Sequence, residues 1–482
     1  RDADVEAEAR KYLNDKVKDV ESAIQGAEDI LAELASDDPA VRQKIRSSME
    51  RYGRLTTKEK KKHTDDKKVY KMYYDYSERI STLASHRIMA IDRGEKEKVL
   101  SVAVDFDKDF ITDWTIRRFT KKRQSPCVPY IEEAVRDGLK RLAFPAVERE
   151  IRAQLSEKAH EQSIEVFSLN LERLLLQPPV KNKMVLGFDP AFRTGCKLAV
   201  VDKNGNMLDV SVIYPTPPNA KIKEAKQKML QLLKEYPIDI IAIGNGTASR
   251  ESEAFVASLI REYHLNVAYT IVSEAGASVY SASKLARDEF PELHVEQRSA
   301  ISIARRILDP LSELIKIDPQ SIGVGQYQHD LPTARLKERL DFVVSKAVNR
   351  VGVNVNTASQ ELLKNISGLS QATAKSIVEY RKANGELKNR KELKKIPKIG
   401  AKSYEQAAGF LRIEDGDEML DRTSIHPESY AVARSVLQQL SIASQDMGSE
   451  QAQEAVKQAD VDALIKTCES DRYTIQDILE AI

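Results

Sequence analysis

The sequence predicts a multidomain, mainly α-helical protein with one α/β domain near its middle. Its 482 residues exceed what a single hydrophobic core usually serves. Apolar residues recur at intervals of three and four in the first and last parts, whereas short apolar runs alternate with helical segments between residues 184 and 272. The predicted order is a helical scaffold, an α/β domain, connecting helices, a helical hairpin module and an acidic helical domain, at residues 1–180, 181–325, 326–356, 357–413 and 414–482.

Charge is almost balanced over the whole chain but not within it. Lys and Arg number 75 against 74 Asp and Glu, and the net charge of +1 excludes a wholly basic or wholly acidic protein. Over residues 357–413 basic residues exceed acidic ones by about seven, and over residues 414–482 acidic residues exceed basic ones by about ten. A basic module beside an acidic one is expected where only one part of a protein contacts a polyanion.

Neither export nor membrane insertion is expected. The sequence shows no signal peptide, and no apolar stretch approaches the roughly 18–20 residues that span a bilayer. Cys127, Cys196 and Cys468 are odd in number and far apart, which argues against disulfides and zinc sites. We therefore expect a cytoplasmic protein. Because the first residue is Arg rather than Met, we also expect a piece of a longer chain.

Residues 1–180 are predicted to form a helical scaffold. Apolar side chains recur at helical spacing around residues 24–34 and 131–142. Between them, residues 58–68 form a mixed charge run that predicts a solvated helix face, with a phosphate-contacting patch as the alternative. A group of tyrosines follows, and we predict that they pack in a core along a helix face rather than stack on bases. They are Tyr70, Tyr73, Tyr74 and Tyr76.

The hydrophobic period changes after Pro178 and Pro179, which end the helical pattern. Three short apolar runs follow, at residues 184–189, 196–202 and 207–213. The dipeptide Asn204-Gly205 lies between the second and third runs and favours a tight hairpin turn. Helical and strand-like runs then alternate, at residues 221–236, 238–243, 251–263 and 267–272. This is the order of the ribonuclease H fold, whereas a doubly wound sheet would place a helix after the first strand.

A carboxylate at the end of the first predicted strand, Asp189, suits an active site of ribonuclease H type. Phosphodiester hydrolysis by this fold needs several carboxylates around two divalent ions about 4 Å apart. The predicted catalytic residues are Asp189, Glu274 after the strand at 267–272, and Asp341 on a helix at 336–348. The same three side chains would be the metal ligands if Mg²⁺ or Mn²⁺ binds. For each of them, a surface carboxylate or a helix cap is the alternative.

One turn argues against catalysis. The strand at residues 238–243 leads into Gly244-Asn245-Gly246-Thr247, where resolvases of this fold place a metal-binding Glu, and no carboxylate stands there. The turn is predicted to be a plain βα connection, with a phosphate site at the helix N-terminus as the alternative. We therefore expect no required cofactor, and enzyme activity is the less favoured interpretation.

Two turns between residues 357 and 413 have the spacing of helix-hairpin-helix motifs. Residues 366–377 and 396–404 each contain an apolar-x-x-apolar turn with a glycine and then a helix. In such hairpins backbone amides approach a phosphate and a lysine of the second helix reaches a neighbouring one, without contact to the bases. The predicted nucleic-acid-binding residues are Gly368, Lys375, Arg381, Lys398, Gly400 and Lys402, with Lys382, Arg390, Lys394 and Lys395 around them.

Both hairpins depart from the ideal pattern. Ser370 replaces the second glycine of the first hairpin, and Lys398 replaces the first glycine of the second. An ordinary helical hairpin bundle with a basic, soluble surface is the alternative interpretation. Two tandem copies with a local excess of positive charge favour nucleic acid.

Several longer motifs occur in a fixed order along the chain. They are Ser85-His86-Arg87-Ile88-Met89-Ala90-Ile91-Asp92-Arg93-Gly94-Glu95, Gly187-Phe188-Asp189-Pro190, Gly244-Asn245-Gly246-Thr247-Ala248-Ser249-Arg250-Glu251, Ser273-Glu274-Ala275-Gly276-Ala277-Ser278-Val279-Tyr280-Ser281-Ala282-Ser283, Asp330-Leu331-Pro332 and Asn356-Thr357-Ala358-Ser359. With these motifs the sequence closely resembles the Tex family of bacterial transcription accessory proteins. The resemblance covers nearly the whole chain.

The resemblance implies a helical scaffold, a YqgF domain of ribonuclease H type, tandem helix-hairpin-helix motifs and a related helical segment around His426-Pro427-Glu428. It also implies an N-terminal helix-turn-helix part and a C-terminal OB-fold RNA-binding domain, both of which we expect outside this sequence. Asn354 stands where the family pattern has Asp. Members of the family are regarded as RNA- or DNA-binding factors that act in transcription.

The sequence therefore predicts a transcription accessory factor that holds the backbone of RNA or DNA without sequence specificity. The alternative is a metal-dependent nuclease or resolvase that uses the YqgF carboxylates, and a further alternative is a platform for proteins such as RNA polymerase. The expected partners are RNA, DNA or both, and RNA polymerase. We expect a monomer that does not bind membranes.

Overall fold

The computed structural model describes residues 4–61, 65–121 and 124–482. The chain divides into two compact units, Arg1–Val166 with Tyr327–Thr333 and Phe167–Gln326 with Ala334–Ile482. Among these residues helices predominate, as predicted, and the strands form two larger sheets and one short pair. Within these described ranges, no helix is long and apolar enough to cross a membrane.

The first unit combines helices with a three-stranded antiparallel sheet. Its helices are α1 (Val5–Ala9), α2 (Val20–Asp37), α3 (Pro39–Tyr52), α4 (Ser85–Lys96), α5 (Lys108–Thr120), α6 (Val128–Asp137) and the first part of α7 (Phe144–Leu175). Its strands are β1 (Arg54–Glu59), β2 (Asp75–Arg79) and β3 (Leu100–Asp105), in the order β2-β1-β3. Ile45, Leu100, Ile111 and Leu139 belong to one hydrophobic core that joins the helices to this sheet.

This sheet corrects the prediction that residues 1–180 are helical throughout. In β1 buried and exposed side chains alternate, with Leu55 and Thr57 facing the core. The charge run at residues 58–68 therefore begins in a strand rather than on a helix, and residues 62–64 of it lie outside the described residues. Tyr70 and Tyr73 are buried, as predicted, but at a 3-10 turn instead of along an α-helix.

Two of the family motifs meet in the first unit. Arg93 of α4 donates from Nε to Asp330 Oδ2 at 2.6 Å. The same guanidinium lies 4.6 Å from the ring centroid of Tyr327. This ion pair and ring contact connect the segment Tyr327–Thr333 to the helical part of its unit.

The second unit contains the predicted mixed sheet. Its strands are β4 (Val185–Asp189), β5 (Cys196–Val201), β6 (Met207–Ile213), β7 (Ile240–Gly244) and β8 (Ala268–Val272), in the order β6-β5-β4-β7-β8. The first three strands form an antiparallel meander, whereas β7 pairs in parallel with β4 and β8 in parallel with β7. The predicted order of strands and helices is therefore confirmed.

Helices cover both faces of this sheet. Leu186 and Phe188 of β4 pack in the cluster of α8 (Ile222–Glu235) and α9 (Ser249–Glu262), whereas Val185 packs in the cluster of α12 (Val295–Leu308). At Gly187, α12 comes so close that an added Cβ would lie 2.1 Å from the carbonyl oxygen of Ala300. This close packing fixes α12 against the strand that ends at Asp189. Short helices flank α12: α10 (Ala277–Ala282), α11 (Lys284–Glu289) and α13 (Pro310–Leu314).

The rest of the second unit is helical, apart from one short strand pair. Its helices are α14 (Thr333–Val351), α15 (Gln360–Leu363), α16 (Gln371–Asn384), α17 (Ala401–Ala407), α18 (Tyr430–Gln439), α19 (Glu450–Lys457), α20 (Val461–Thr467) and α21 (Arg472–Ala481). β9 (Val353–Asn354) and β10 (Leu411–Arg412) pair in parallel and join the two ends of the hairpin module. Leu437, Leu464 and Ile478 belong to a separate core formed by the last helices.

Candidate functional sites

The sheet of the second unit places Asp189 at the end of β4, beside the centre of the sheet. The carboxyl group is half-buried, and burial raises its pKa to about 6. The negative charge of Glu274 adds to this increase, whereas a hydrogen bond from Ser299 and the charge of Lys197 oppose it. Ser299 is presented by α12, so the helix that packs on Gly187 also orients the acid.

Glu274 reaches the same edge of the sheet from the end of β8. The amide of Gly246 donates to its carboxylate, and the Glu274 amide donates to Asn245 Oδ1 at 3.1 Å. A Cβ on Gly246 would lie 1.6 Å from Glu274 Oε1, and a Cβ on Gly244 would lie 2.6 Å from Oε2. The turn without a carboxylate thus makes space for a carboxylate from the next strand. Burial raises the pKa of Glu274 as well.

The third predicted acid does not join them. Asp341 is exposed on α14, where its carboxylate lies 2.7 Å from the ammonium group of Lys337. The position next to the sheet is taken by α12 instead, which brings Glu296 close enough to act on the pKa of Asp189. Among the residues that the structure describes, no three acidic, histidine or cysteine side chains are grouped to hold a metal ion.

Two buried, positively charged side chains act on the acids at this edge of the sheet. Lys197 of β5 is opposite Asp189 in the strand register and only 4% exposed, and its Nζ lies 2.7 Å from Glu296 Oε2. Arg306 of α12 is also 4% exposed, and its Nη1 donates to the carbonyl of Ser273 at 2.5 Å. Because these cations lie among the acids, the donor set does not fit a two-metal centre.

Neither Lys197 nor Arg306 is among the site residues predicted from the sequence. A lysine within the apolar run of β5, Cys196–Val201, is the one signal that could have indicated a buried charge, because lysine is rarely buried unless it is paired.

The raised pKa of Asp189 predicts how stability depends on pH. Since its folded pKa of about 6 exceeds the ordinary aspartate pKa of 3.8, the folded state binds the proton more tightly between these values, and stability falls as pH rises through this window. Asp189→Asn is therefore expected to be more stable than the wild type at neutral pH by about 1–3 kcal/mol. The difference should shrink towards pH 4.5 in urea unfolding curves. An equal difference at both pH values would contradict the assignment.

The second hairpin exposes its lysines and its turn. Lys398 adopts φ +71° immediately before Ile399, and Gly400 leads into α17. Lys398 and Lys402 are exposed, and neither makes an ion pair with any residue in the described ranges. A Cβ placed on Gly400 would meet no described atom within 4 Å, so the backbone at this turn is open to approach. Lys394 lies over the ring of Tyr404, 4.4 Å from its centroid.

The first hairpin is more closed. Gly368 has φ +82°, and a Cβ there would lie 2.6 Å from Cβ of Gln406, so its turn packs against α17. Ser370 caps α16 in a reciprocal pair of hydrogen bonds with Thr373, which occupies the amide of Thr373. Lys375 is exposed, and its Nζ lies 3.6 Å from Glu379 Oε1 in a solvated ion pair. The second hairpin therefore offers the more accessible surface.

Two arginines of the predicted basic surface have structural roles. Arg381 is half-buried and donates from Nη1 to the carbonyl of Val355 at 2.8 Å. Arg390 is 1% exposed, and its guanidinium donates to the carbonyls of Leu411, Thr423 and Ile425 and to the hydroxyl of Tyr430. The structure therefore corrects the prediction for Arg390 and places Arg381 poorly for contact with a phosphate.

Successive segments of the chain match models of known protein families. Four family models match: Tex protein YqgF-like domain, Tex central region-like, Helix-hairpin-helix motif and HHH domain, at residues 183–308, 1–167, 348–412 and 418–482. YdcI of Bacillus subtilis is 49% identical over 486 residues, which cover 100% of this chain and 68% of that protein. The transcriptional accessory protein Tex of Neisseria gonorrhoeae is 40% identical over 467 residues, which cover 95% of this chain and 61% of that protein.

The chain belongs to the Tex family. A human relative, S1 RNA-binding domain-containing protein 1, is 42% identical over 363 residues, which cover 73% of this chain and 36% of that protein. The chain thus spans 68% of the length of the first of these bacterial proteins and 61% of the second. The HHH domain model covers the acidic segment, where the resemblance to Tex implied a related helical segment around His426.

Proposed function

We propose that this Tex-family chain is a nucleic-acid-binding accessory factor in transcription, and that its second hairpin holds the phosphate backbone of RNA or DNA without reading the bases. The observation that carries the proposal is the exposure of Lys398 and Lys402 on either side of the open turn at Gly400. This turn lies in the segment that matches the helix-hairpin-helix motif. Contacts from ammonium groups and backbone amides to phosphate oxygens carry no sequence information.

The charge of the hairpin module is available to a ligand. Its lysine ion pairs within the described residues are short-range, Lys375 with Glu379, Lys388 with Glu386 and Lys395 with Glu392. All of these pairs are at least partly exposed, and such pairs exchange readily for a phosphate because they contribute little by themselves. Among the described side chains, no lysine of the module forms an ion pair with an acid of residues 414–482, where Glu418 pairs with Arg434. The net positive field of the module therefore supports binding of a polyanion.

The ribonuclease H-like sheet supports a role as a frame better than a role as a nuclease. Asp189 and Glu274 share an edge of the sheet, but Asp341 lies with Lys337 and two internal cations occupy the acidic site. Docking to RNA polymerase and a monomeric state remain predictions from the sequence.

The proposal is tested by measuring the affinity of the chain for nucleic acids of unrelated base sequence. Labelled duplex DNA, single-stranded DNA and single-stranded RNA, each in two unrelated sequences, would be titrated with the chain by fluorescence anisotropy. Within each class we expect the two sequences to bind within about threefold of each other, and affinity to fall steeply with salt, because phosphates supply the contacts. A strong preference for one sequence, or affinity that does not depend on salt, would contradict it.

A further inference from the structure

The acidic site of the sheet contains two positively charged side chains beside three carboxylates. Asp189, Glu274 and Glu296 provide the carboxylates, and Lys197 and Arg306 provide the cations. Both cations are 4% exposed, and burial of a charge at such positions is costly unless opposite charges lie close by. Each cation therefore needs a nearby acid, which is Glu296 for Lys197 and Glu274 for Arg306.

Lys197 is held firmly in place. Its Nζ pairs with Glu296 Oε2 at 2.7 Å and donates to the carbonyl and the hydroxyl of Thr194, the former at 3.2 Å. Its charge lowers the pKa of Asp189, on the neighbouring strand. The ammonium group of Lys197 thus has three acceptors, which match its three N–H donors, and it holds its positive charge close to Glu296 and Asp189.

Arg306 interacts electrostatically with Glu274. Its Nη1 is fixed on the carbonyl of Ser273, the residue before Glu274, and its charge opposes the increase in the pKa of Glu274. Within the described part of the chain, Arg306 Nε and Nη2 and Glu274 Oε2 are all buried without a hydrogen-bond partner. The Arg306 nitrogens are donors and Glu274 Oε2 is an acceptor, and a bridging water can join groups of these two kinds. A divalent ion at this place would be repelled by the guanidinium.

We propose that two side chains of this protein, Lys197 and Arg306, take the place of divalent metal ions in its ribonuclease H-like site, and that their positive charges close the site to metal. Lys197 pairs with Glu296 and partly offsets the charge of Asp189, and Arg306 offsets that of Glu274. The proposal is independent of nucleic-acid binding by the hairpins, which lie elsewhere in the second unit. It predicts a latent metal site that appears when the internal cations are removed.

Binding of Mn²⁺ alone to the full chain tests this proposal. Electron paramagnetic resonance would measure bound Mn²⁺, and thermal unfolding with and without Mn²⁺ would report its effect on stability. The wild type should show neither saturable binding nor a rise in melting temperature. Lys197→Met with Arg306→Met should melt below the wild type without metal, regain stability with Mn²⁺, and bind Mn²⁺ at least about tenfold more tightly than the wild type. Adding Asp189→Asn to this variant should abolish the gain.

Two results would overturn the proposal. One is saturable Mn²⁺ binding by the wild type that Asp189→Asn removes, since a metal would then enter the site beside both cations. The other is a Lys197→Met/Arg306→Met variant whose melting temperature and Mn²⁺ binding do not respond to the metal. If the double variant does not fold with or without Mn²⁺, the single change Lys197→Met decides by the same two measurements, and the absence of a Mn²⁺-dependent gain overturns the proposal.

Discussion

Replacement of Arg390 by Met is expected to lower the free energy of unfolding of the second unit by about 3–5 kcal/mol. The guanidinium is buried and donates to three backbone carbonyls, those of Leu411, Thr423 and Ile425. Without it these carbonyls lose their donors inside the protein, and a buried acceptor without a partner is costly. The side chain also connects the hairpin module to the segment that follows it, so unfolding of the two parts should become less cooperative.

Urea unfolding followed by circular dichroism would measure this effect, with Lys391→Met as the matched control. Lys391 is the exposed neighbour of Arg390 in the same 3-10 turn, and its replacement should change stability by no more than about 0.5 kcal/mol. Arg390→Lys should also be destabilising, because a single ammonium group cannot reach acceptors that a planar guanidinium contacts in several directions. Equal stability of Arg390→Met and Lys391→Met would show that the arginine is not the structural link described above.

Charge reversal at the second hairpin, Lys398→Glu with Lys402→Glu, is expected to weaken binding of duplex DNA and of RNA on the order of 10- to 100-fold near 0.1 M salt. The two lysines flank the open turn at Gly400, and glutamates there would repel the phosphates that the lysines attract. Because neither lysine takes part in a described ion pair, the fold should be preserved. The loss should be the same for unrelated sequences, since phosphate contacts do not distinguish bases.

A control with the same change in net charge separates a local contact from a general electrostatic effect. Lys457→Glu with Lys466→Glu places two new glutamates on exposed positions of α19 and α20, outside the hairpin turns. This variant should bind nucleic acid nearly as well as the wild type. Equal losses in both double variants would mean that overall charge, and not the second hairpin, determines binding.

The mixed sheet could be predicted because its signals are local in sequence. Asn204-Gly205 marks the hairpin between β5 and β6, and the remaining strands alternate with helices in a distinctive order. The sheet of the first unit could not, because β1 has only Leu55 and Thr57 as buried alternating residues, and four further elements, among them β2 and α4, separate it from its partner β3. Its charged residues also matched the pattern of a solvated helix.

The sequence could predict those parts of the candidate sites that follow from the order of strands in the sheet. Asp189 and Glu274 follow strands that end at the same edge of one sheet, so their proximity could be expected from strand order. The prediction for Asp341 rested on a helix at residues 336–348, and this helix, α14, exists, but α12 is the helix that packs beside Asp189. Sequence also could not distinguish the buried Arg390 from the exposed Lys398, since both stand in the same basic segment.

The salt dependence of binding tests the central claim most directly. The affinity of the wild type and of Lys398→Glu/Lys402→Glu for one duplex would be measured between about 0.05 and 0.3 M salt, and the logarithm of the association constant plotted against that of the salt concentration. If both lysines contact phosphates, the slope of the variant should be shallower by about 1.8, roughly 0.9 for each lost contact. Parallel lines with the same slope would contradict the assignment of the second hairpin as the phosphate-binding surface.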